Sequence, residues 1–445
     1  MIYELSLFKE LNPYSGKIDE NNRWIKLANL VPWENLNVIY QKYFAEEKIK
    51  QVKKCRLILG LMLGQILIKL SDRDVLDYFH ENPYFQYFCG CETFVVKLEK
   101  SIIHYSLLSK RRKKLGKKFF QKFQDEVIKV LIESKIINPK TLILDATVEP
   151  SNIEYPNDVK LMNVAREYLC KKIIEIKNLI DVKKKVRTYK ILGRKVFLNF
   201  QKKKQKTRKE IKKAVKTMHR YLKRNIKQIE DLLKEYAEKK QVLKTKLKKW
   251  EEEKLRNFLG IAKNIYEQQK EMIKENKHSV KERIVSFHQP EVRPIVRGKE
   301  GKKVEFGPKL HVCDVDGYAI LDELSNEAFH EGNLYKSANE KHKERFGKYP
   351  KESLGDGLYG TLENRRWAKE NGVETNFKVM GRSDKKIKKR KKKLNGKRNR
   401  IEGDFGTLKE HFKMNKIVLK VKDGASIQCY LSMGAMNLTK AMSRI

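Results

Sequence analysis

The segment TLILDATVEP, residues 141–150, marks the point at which the pattern of apolar residues changes from helical to strand-like. Thr141–Asp145 is a short apolar run that ends in an acid, which predicts a buried β-strand. A second strand is predicted over Val304–Val312, and the turn signal Asp316-Gly317 predicts a hairpin that returns over Tyr318–Leu321. These segments predict one sheet whose first strand ends in an acidic side chain.

Helices and strands continue to alternate after this hairpin. We predict helices over Tyr335–Phe346 and Leu362–Asn371, a strand over Glu374–Val379, and a final helix from about Arg398 to Phe412. This alternation predicts an α/β fold for the second half of the chain.

The residues before the first strand follow a helical pattern. Cys55–Leu70 is apolar with helical spacing, Ser71 is suited to cap the next helix, and Lys117–Ile136 repeats apolar residues at helical intervals. The apolar run Leu57–Ile68 is too short to span a bilayer and predicts a buried helix. We therefore predict an all-helical N-terminal domain.

A long basic segment separates the first predicted strand from the second. Its apolar residues recur at steps of three and four, which predicts a coiled-coil or helical-hairpin seam. The seam comprises Leu222, Ile226, Ile229, Leu233 and Tyr236. Residues 171–250 contain 30 Lys or Arg against 7 Asp or Glu, which indicates an arm that follows DNA phosphates. The alternative interpretation is the solvated face of a lysine-rich hairpin.

These patterns divide the chain into four predicted parts. They are a helical N-terminal, DNA-end-binding domain (1–137), an α/β core (138–158 and 283–420), a basic helical insertion (159–282) and a C-terminal helical tail (421–445). The insertion falls between the first two core strands, so we expect it to grip DNA or to contact a second subunit.

The composition limits the classes of partner. A net charge of +44 over 445 residues requires a polyanion or counterions nearby, and nucleic acid is predicted in preference to an anionic membrane. The lysine bias of an AT-rich genome is an alternative source of the charge, but it does not explain the clustering. Six cysteines exclude a disulfide scaffold, and Cys89 and Cys91 lack the second ligand pair of a zinc site. The N-terminal residues carry no secretion signal, so we predict a cytoplasmic, nucleoid-associated protein.

Three acids lie in apolar or glycine-rich surroundings: Asp145, Asp356 and Glu402. If the strands before the two aspartates are neighbours, both aspartates emerge at one edge of the sheet, and the final helix can place Glu402 opposite them. Converging carboxylates repel one another unless a divalent cation lies among them, and oxygen ligands favour Mg²⁺ or Mn²⁺. Two such ions on one phosphodiester can activate the attacking oxygen and stabilise the leaving oxygen. For each acid alone, a helix cap or a surface carboxylate is the alternative.

Several stretches around these residues are specific enough to compare with known families. They are LSDRDVLDYFHENPYFQYFCG, LILDATVEPSNIEYPNDVKLMNVARE, RIVSFHQPEVRPIVRGKEGKKVEFGPKLHV, LYGTLENRRWAKENGV and RNRIEGDFGTLK. Together they resemble bacterial insertion-sequence transposases of the DDE type, in the insertion-sequence-five group and its relatives.

The resemblance implies a ribonuclease-H-like core with the catalytic acids on two adjacent strands and a helix. It implies that Asp145, Asp356 and Glu402 are these acids and bind two Mg²⁺ ions, for which Mn²⁺ can substitute. It implies an enzyme that cleaves double-stranded DNA at the terminal inverted repeats of its own element and transfers the strand into target DNA. The expected assembly is a homodimer.

The family also carries a signature of Tyr, Arg, Glu and Lys around the third acid. Arg398, Glu402 and Lys409 match it, whereas Asn395 stands at the tyrosine position. At about 100° per residue, both cations lie within about 40° of Glu402 on one helix face, which predicts that this face holds DNA phosphates. Further predicted DNA-binding residues are Lys309, Arg400, Lys385, Lys386, Lys388, Lys389 and Arg390.

Two other classes of function stay open. One is a catalytically inactive, transposon-derived DNA-binding protein, against which the presence of all three acids argues. The other is a structural coiled-coil protein that binds nucleic acid through bulk charge, against which the strand segments at 141–145 and 304–321 argue. A mechanism with two metal ions needs no general base, so we expect His288, His311 and His330 to be structural.

Overall fold

The computed structural model describes residues 19–45, 54–91, 103–181, 186–241, 243, 246–296, 304–381 and 384–444. Residues 1–18, in which the sequence predicts no secretion signal, lie outside this part of the chain. The chain divides into two compact units. The sheet unit comprises Met1–Asn152 and Gly307–Ile445, and the helical unit comprises Ile153–Phe306. The four predicted parts stay predictions.

The helices are α1 (Arg23–Leu30), α2 (Trp33–Gln41), α3 (Cys55–Leu67), α4 (Asp74–Glu81), α5 (Pro83–Phe88), α6 (Ser106–Glu133), α7 (Asp158–Leu179), α8 (Lys190–Lys202), α9 (Arg208–Lys239), α10 (Lys249–Glu275), α11 (Tyr335–Phe346), α12 (Leu362–Glu370), α13 (Lys385–His411) and α14 (Gly424–Met442). The strands are β1 (Thr141–Val148), β2 (Pro294–Val296), β3 (Val304–Phe306), β4 (Lys309–Val315), β5 (Tyr318–Ser325), β6 (Glu352–Leu354) and β7 (Glu374–Thr375).

Capping side chains and apolar burial explain the N-terminal helices. The Asn22 and Asn82 side chains accept free N–H groups in the first turns of α1 and α5, and the Ser71 hydroxyl accepts the Asp74 N–H at the start of α4. α3 is buried along almost its whole length, as predicted for the run Leu57–Ile68. Among the described residues, no helix is long and apolar enough to cross a membrane.

The C-terminal helix α14 lies in the core of the sheet unit. It packs against α3, α6 and β5, and its side chains Ile427, Leu431 and Leu438 are buried. A Cβ atom at Gly434 would lie 2.4 Å from the Phe123 ring, so glycine permits the close approach of α14 to α6. The last helix of the chain therefore joins the N-terminal helices to the sheet.

Five strands form a mixed sheet in the order β5-β4-β1-β6-β7. The central strand β1 pairs antiparallel with β4 and parallel with β6. The β4–β5 hairpin turns at Asp316 and Gly317, whose φ angles of 56° and 89° suit a two-residue turn. The predicted hairpin is therefore confirmed, and so is the predicted strand at Thr141–Asp145, which extends to Val148.

The single strand predicted over Val304–Val312 is wrong, because the structure divides it into β3 and β4. The division lies at Gly307, where an added Cβ would lie 2.0 Å from the backbone oxygen of Glu149. Only glycine permits that approach, and its φ of 157° differs from an ordinary strand value. β3 pairs with β2 in the helical unit, whereas β4 joins the central sheet.

Two further boundaries differ from the sequence predictions. The strand predicted over Glu374–Val379 ends at Thr375. There the Asn376 side chain binds the backbone N–H and C=O of Gly355, in place of further backbone pairing between strands. The last core helix was predicted from about Arg398 but begins at Lys385, where the Asp384 side chain accepts the Lys386 N–H. The basic run 385–393 therefore lies on a helix.

The helical unit is built around α9. Its predicted seam residues Leu222, Ile226, Ile229, Leu233 and Tyr236 are all buried. α9 packs against α7, α8 and α10. Thr207 and Glu210 form a capping box that fixes its first turn. The helical seam read from the sequence is therefore present, and its polar face carries the lysines.

Candidate active site

The register of the sheet places two of the predicted acids beside each other. Ile143 on β1 pairs in parallel register with Leu354, the last residue of β6. Asp145 and Asp356 each follow two residues later on these neighbouring strands. The negative charge of Asp356 contributes to a raised pKa of Asp145, as expected for carboxylates that lie close together. Both aspartates therefore emerge at the same end of the sheet.

The Asp145 carboxyl is largely buried, and its pKa is raised to about 6. Burial is the main cause, and the charges of Glu331 and Asp356 raise the pKa further. Two groups lower it: the Ala146 N–H, which donates to Oδ1 at 2.8 Å, and the Arg398 guanidinium. Burial therefore outweighs these two favourable contacts and disfavours the charged form of Asp145.

Asp356 lies where β6 ends and a short 3₁₀ turn, Gly357–Tyr359, begins. Its Oδ1 accepts the Leu358 N–H at 2.7 Å, so the carboxylate caps this turn. An added Cβ at Gly355 would lie 2.6 Å from the Tyr359 ring, which explains the small residue before the acid. The local sequence thus fixes the backbone that carries Asp356.

Glu402 is linked to Asp145 through the guanidinium group of Arg398. Arg398 on α13 donates from one terminal nitrogen to Asp145 Oδ2 at 3.2 Å and from the other to Glu402 Oε1 at 3.0 Å. Glu402 lies one helical turn beyond Arg398 and is mostly exposed. The structure therefore places Asp145 near Asp356 at one end of the sheet and links it to Glu402 through Arg398.

Two residues of this region were not identified from the sequence. Glu331 is buried in a turn before α11, where its Oε1 accepts from Lys309 Nζ at 2.8 Å. Tyr359 is also buried, and its hydroxyl has no hydrogen-bond partner within the described part of the chain. Burial raises the pKa of Tyr359, and the charges of Glu331, Asp145 and Asp356 raise it further.

The pairing of Lys309 with a distant turn could not be read from local pattern. The one sequence signal for Tyr359 is its position three residues after Asp356, in the segment GDGLY.

Two family models match this chain. Residues 354–439 match the model described as a transposase DDE domain, and residues 12–114 match a transposase domain (DUF772). Over these two ranges the chain is similar to transposases of the DDE type. The first match includes Asp356 and Glu402, whereas Asp145 lies outside both matched ranges. The family resemblance read from the sequence is thus confirmed.

A similar protein from Rhizobium meliloti bears the name "Uncharacterized protein ORF8 in nfe locus". It is 26% identical over 155 residues, which cover 34% of this chain and 73% of that protein. No solved structure matches the chain significantly.

The remaining signature residues also lie along α13. Lys409 reaches β1, where its Nζ lies 3.4 Å from the hydroxyl of Thr147, two residues beyond Asp145. Asn395, at the family's tyrosine position, accepts from the Asn376 side chain at 2.6 Å. Arg398 and Lys409 therefore both contact β1 from the same face of α13, as the spacing predicts.

Arg400, a predicted DNA-binding residue, contacts a different group. Its guanidinium binds the buried Asp314 carboxylate on β4. Burial and the neighbouring Asp404 raise the pKa of Asp314, and Lys440 binds Asp404 at 2.5 Å. Arg400 therefore holds α13 against the sheet and lies apart from the Arg398 contacts.

The basic run occupies the first turns of α13. The side chains of Lys385, Lys386, Lys388 and Lys389 are exposed. Arg390 forms an ion pair with Glu374, and Lys391 donates to the Thr375 backbone oxygen, so these two contacts attach the helix to β7. The four lysines present their charge to solvent.

A second group of metal-type donors lies deeper in the sheet unit. Donor atoms of His311, Cys313 and Asp322 lie within 4.8 Å of one another. Asp322 already binds the His311 ring at 2.8 Å and Lys341 at 2.6 Å, and burial raises the pKa of the Cys313 thiol. Because the Asp322 carboxylate is neutralised and the Cys313 thiol is protonated, we interpret this group as a buried structural ion pair.

Proposed function

We propose that this protein cleaves DNA at the terminal inverted repeats of its own insertion sequence and transfers the freed 3′ end into target DNA. The main support is the convergence of Asp145 and Asp356 from the paired strands β1 and β6, with Glu402 linked to Asp145 through Arg398. A mixed sheet with acids on two adjacent strands and one on a helix agrees with a ribonuclease-H-like core.

The residues present fit a divalent cation. Carboxylate oxygens are the ligands that Mg²⁺ prefers, and a cation would stabilise the charged form of Asp145, which burial disfavours. Asp145, Asp356 and Glu402 would hold two Mg²⁺ ions, or Mn²⁺ in their place. When bound, such ions supply charge that activates the attacking oxygen and stabilises the leaving oxygen of a phosphodiester.

The protein's own residues orient the reacting groups. The contacts of Arg398 with Asp145 and Glu402 hold a β1 carboxylate and an α13 carboxylate in one arrangement. Lys409 adds a second cation two residues further along β1, where it can take a DNA phosphate. Fixed positions of this kind matter because a misplacement of about 1 Å can cost about 100-fold in rate.

Basic surfaces supply binding of double-stranded DNA. On α13 the exposed lysines of the basic run lie in the first turns of the helix, ahead of Arg398. On α9 the exposed cations Lys212, Lys216, Arg220, Lys223 and Lys227 recur at helical spacing, on the face opposite the apolar seam. Such rows neutralise successive phosphates. We assign DNA-end binding to residues 1–137, DNA gripping to residues 159–282, a homodimer to the synaptic complex, and the bacterial nucleoid as location.

The test is cleavage of a DNA duplex that carries the inverted repeats flanking the gene. The unaltered protein should nick this duplex only with Mg²⁺ or Mn²⁺. Asp145→Asn, Asp356→Asn and Glu402→Gln should each abolish nicking while retaining DNA affinity. Normal nicking by any one variant would remove that residue from the site. Binding without nicking by the unaltered protein would identify an inactive, transposon-derived DNA-binding protein.

A further inference from the structure

The acidic end of the sheet contains a fourth carboxylate, Glu331. Its side chain is buried and lies in electrostatic range of Asp145. The only hydrogen-bond and ion-pair partner that the described residues give its carboxylate is Lys309, at 2.8 Å. Lys309 is the first residue of β4 and pairs with Val148, three residues beyond Asp145 on β1, so its ion pair holds Glu331 beside the β1–β4 pair.

Packing holds Glu331 in this place. The Asn364 side chain donates to the backbone oxygens of both Gly332 and Tyr359, at 2.8 and 2.9 Å. An added Cβ at Gly332 would lie 2.7 Å from the Leu358 backbone oxygen. The turn that carries Glu331 is therefore packed against the turn that follows Asp356.

A buried donor without a partner faces the same group of acids. The Tyr359 hydroxyl is buried, and no described residue accepts from it or donates to it. The acids whose charges act on this phenol are Glu331, Asp145 and Asp356. A buried hydroxyl without a partner is unfavourable, so a ligand or its water beside these acids could complete the hydrogen bonding of Tyr359.

The geometry points to Glu331 as a fourth acid of the active site, which binds divalent cation together with Asp145 and Asp356. This inference rests on the proposed function. Lys309 neutralises Glu331 in the cation-free protein, in place of contacting DNA phosphate. When a divalent cation binds, Glu331 exchanges its ammonium partner for that cation, and Lys309 becomes available to the substrate.

The test is Mn²⁺ affinity, measured by calorimetry on the full chain without DNA. Glu331→Gln should weaken Mn²⁺ binding about tenfold. Removing a charge also acts through space, so the deciding variant is the double substitution Lys309→Met with Glu331→Gln, which leaves the net charge unchanged. We expect the double variant to remain about tenfold weaker. Affinity equal to that of the unaltered protein in the double variant would overturn the inference.

Two controls separate the possible failures. The surface ion pair Lys336–Glu363 gives a matched charge-neutral double variant, Lys336→Met with Glu363→Gln, which should bind Mn²⁺ normally. Asp145→Asn tests the proposed function itself. If it binds Mn²⁺ normally, the proposed metal site fails; if it binds weakly while the Glu331 variants bind normally, only the further inference fails. Should Glu331→Gln not fold, Glu331→Asp decides: at least threefold weaker binding supports the inference, and unchanged binding overturns it.

Discussion

The Arg398 guanidinium donates a hydrogen bond to the Asp145 carboxylate at 3.2 Å, across 253 residues of sequence. The same guanidinium binds Glu402 one helical turn away. One arginine therefore sets the distance between the acid of the central strand and the acid of α13. An arginine suits this role because its planar group offers two nitrogens in a fixed geometry.

We predict that Arg398→Gln slows end cleavage at least tenfold, a loss of about 1.4 kcal/mol in transition-state stabilisation, with a smaller change in melting temperature than Arg400→Gln causes. The change is smaller because the pair with Glu402 is mostly exposed and the pair with Asp145 is only partly buried, whereas Arg400 binds a fully buried carboxylate. The measurement is single-turnover cleavage and thermal melting on the same preparation.

The matched control for this prediction is Arg400→Gln, on the same helix. Arg400 binds the buried Asp314, so its loss should cost about 2 kcal/mol of unfolding free energy. Cleavage by the folded fraction should stay close to normal. If both variants lose stability equally and cleave equally, Arg398 is a structural residue only.

Local pattern was sufficient where an element's own residues decide its structure. Thr141–Asp145 was predicted because an apolar run of this length suits a buried central strand, and α11 was predicted with the bounds Tyr335–Phe346 that the structure has. The side-by-side position of Asp145 and Asp356 needed only the assumption that β1 and β6 are neighbours. That assumption is correct.

Long-range contacts explain what local pattern missed. The role of Glu331 depends on its ion pair with Lys309, which lies 22 residues earlier in the chain. It depends also on the packing of the Glu331 turn against the turn after Asp356. β7 ends early because the Asn376 amide replaces a strand neighbour of Gly355. The start of α13 was missed because a run of lysines has no apolar period, although Asp384 is a good capping residue.

The second prediction concerns the basic run on α13. Changing Lys385, Lys386 and Lys388 to Gln should reduce the slope of log K against log salt by about 2 to 3, since each phosphate contact contributes about 0.9. The measurement is a salt titration of binding to duplex DNA. The control changes the exposed lysines 416, 420 and 422 to Gln, with the same loss of charge. An equal reduction in both variants would mean that bulk charge holds the DNA.

The third prediction concerns stability at acidic pH. His342 on α11 is buried, and its Nδ1 lies 3.1 Å from the Lys348 backbone oxygen, to which it donates. Burial lowers the pKa of His342 to about 4, and the charges of Arg345 and Lys348 contribute. In the unfolded chain its pKa is about 6.5, so as pH falls below 6.5 the unfolded state binds the proton first. Folding stability is therefore full above pH 6.5 and falls towards pH 4.

Between pH 7.5 and 5.0 this linkage amounts to about 2 kcal/mol. We expect the free energy of unfolding, measured by urea titration, to fall between pH 7.5 and 5.0 in both proteins. The fall should be about 2 kcal/mol larger in the unaltered protein than in His342→Gln. Equal losses in the two proteins would show that His342 accepts its proton equally well in the folded state.

The last prediction concerns the outer strand of the sheet. Within the described part of the chain, no strand pairs with the far side of β5, and side-chain amides satisfy its backbone there. Asn437 on α14 accepts the Ala319 N–H at 3.0 Å and donates to the Ala319 carbonyl at 2.8 Å. Gln124 on α6 does the same for Leu321, at 2.8 and 3.1 Å. The two helices thus occupy hydrogen bonds that an exposed edge would offer to another chain.

Asn437→Leu keeps the side-chain size but leaves a buried N–H and a buried C=O without partners. At about 1–3 kcal/mol for each of the two groups, the variant should lose about 2–6 kcal/mol of unfolding free energy, measured by urea titration. Thr439→Val on the same helix removes a hydroxyl that bonds only to the preceding turn, at Ala435, and should cost less than about 1 kcal/mol. If the Asn437 variant lost no more than the Thr439 variant, the amide would not be needed to satisfy the edge of β5. A large loss confined to Asn437 would identify α14, at the end of the chain, as a required part of the sheet that carries Asp145.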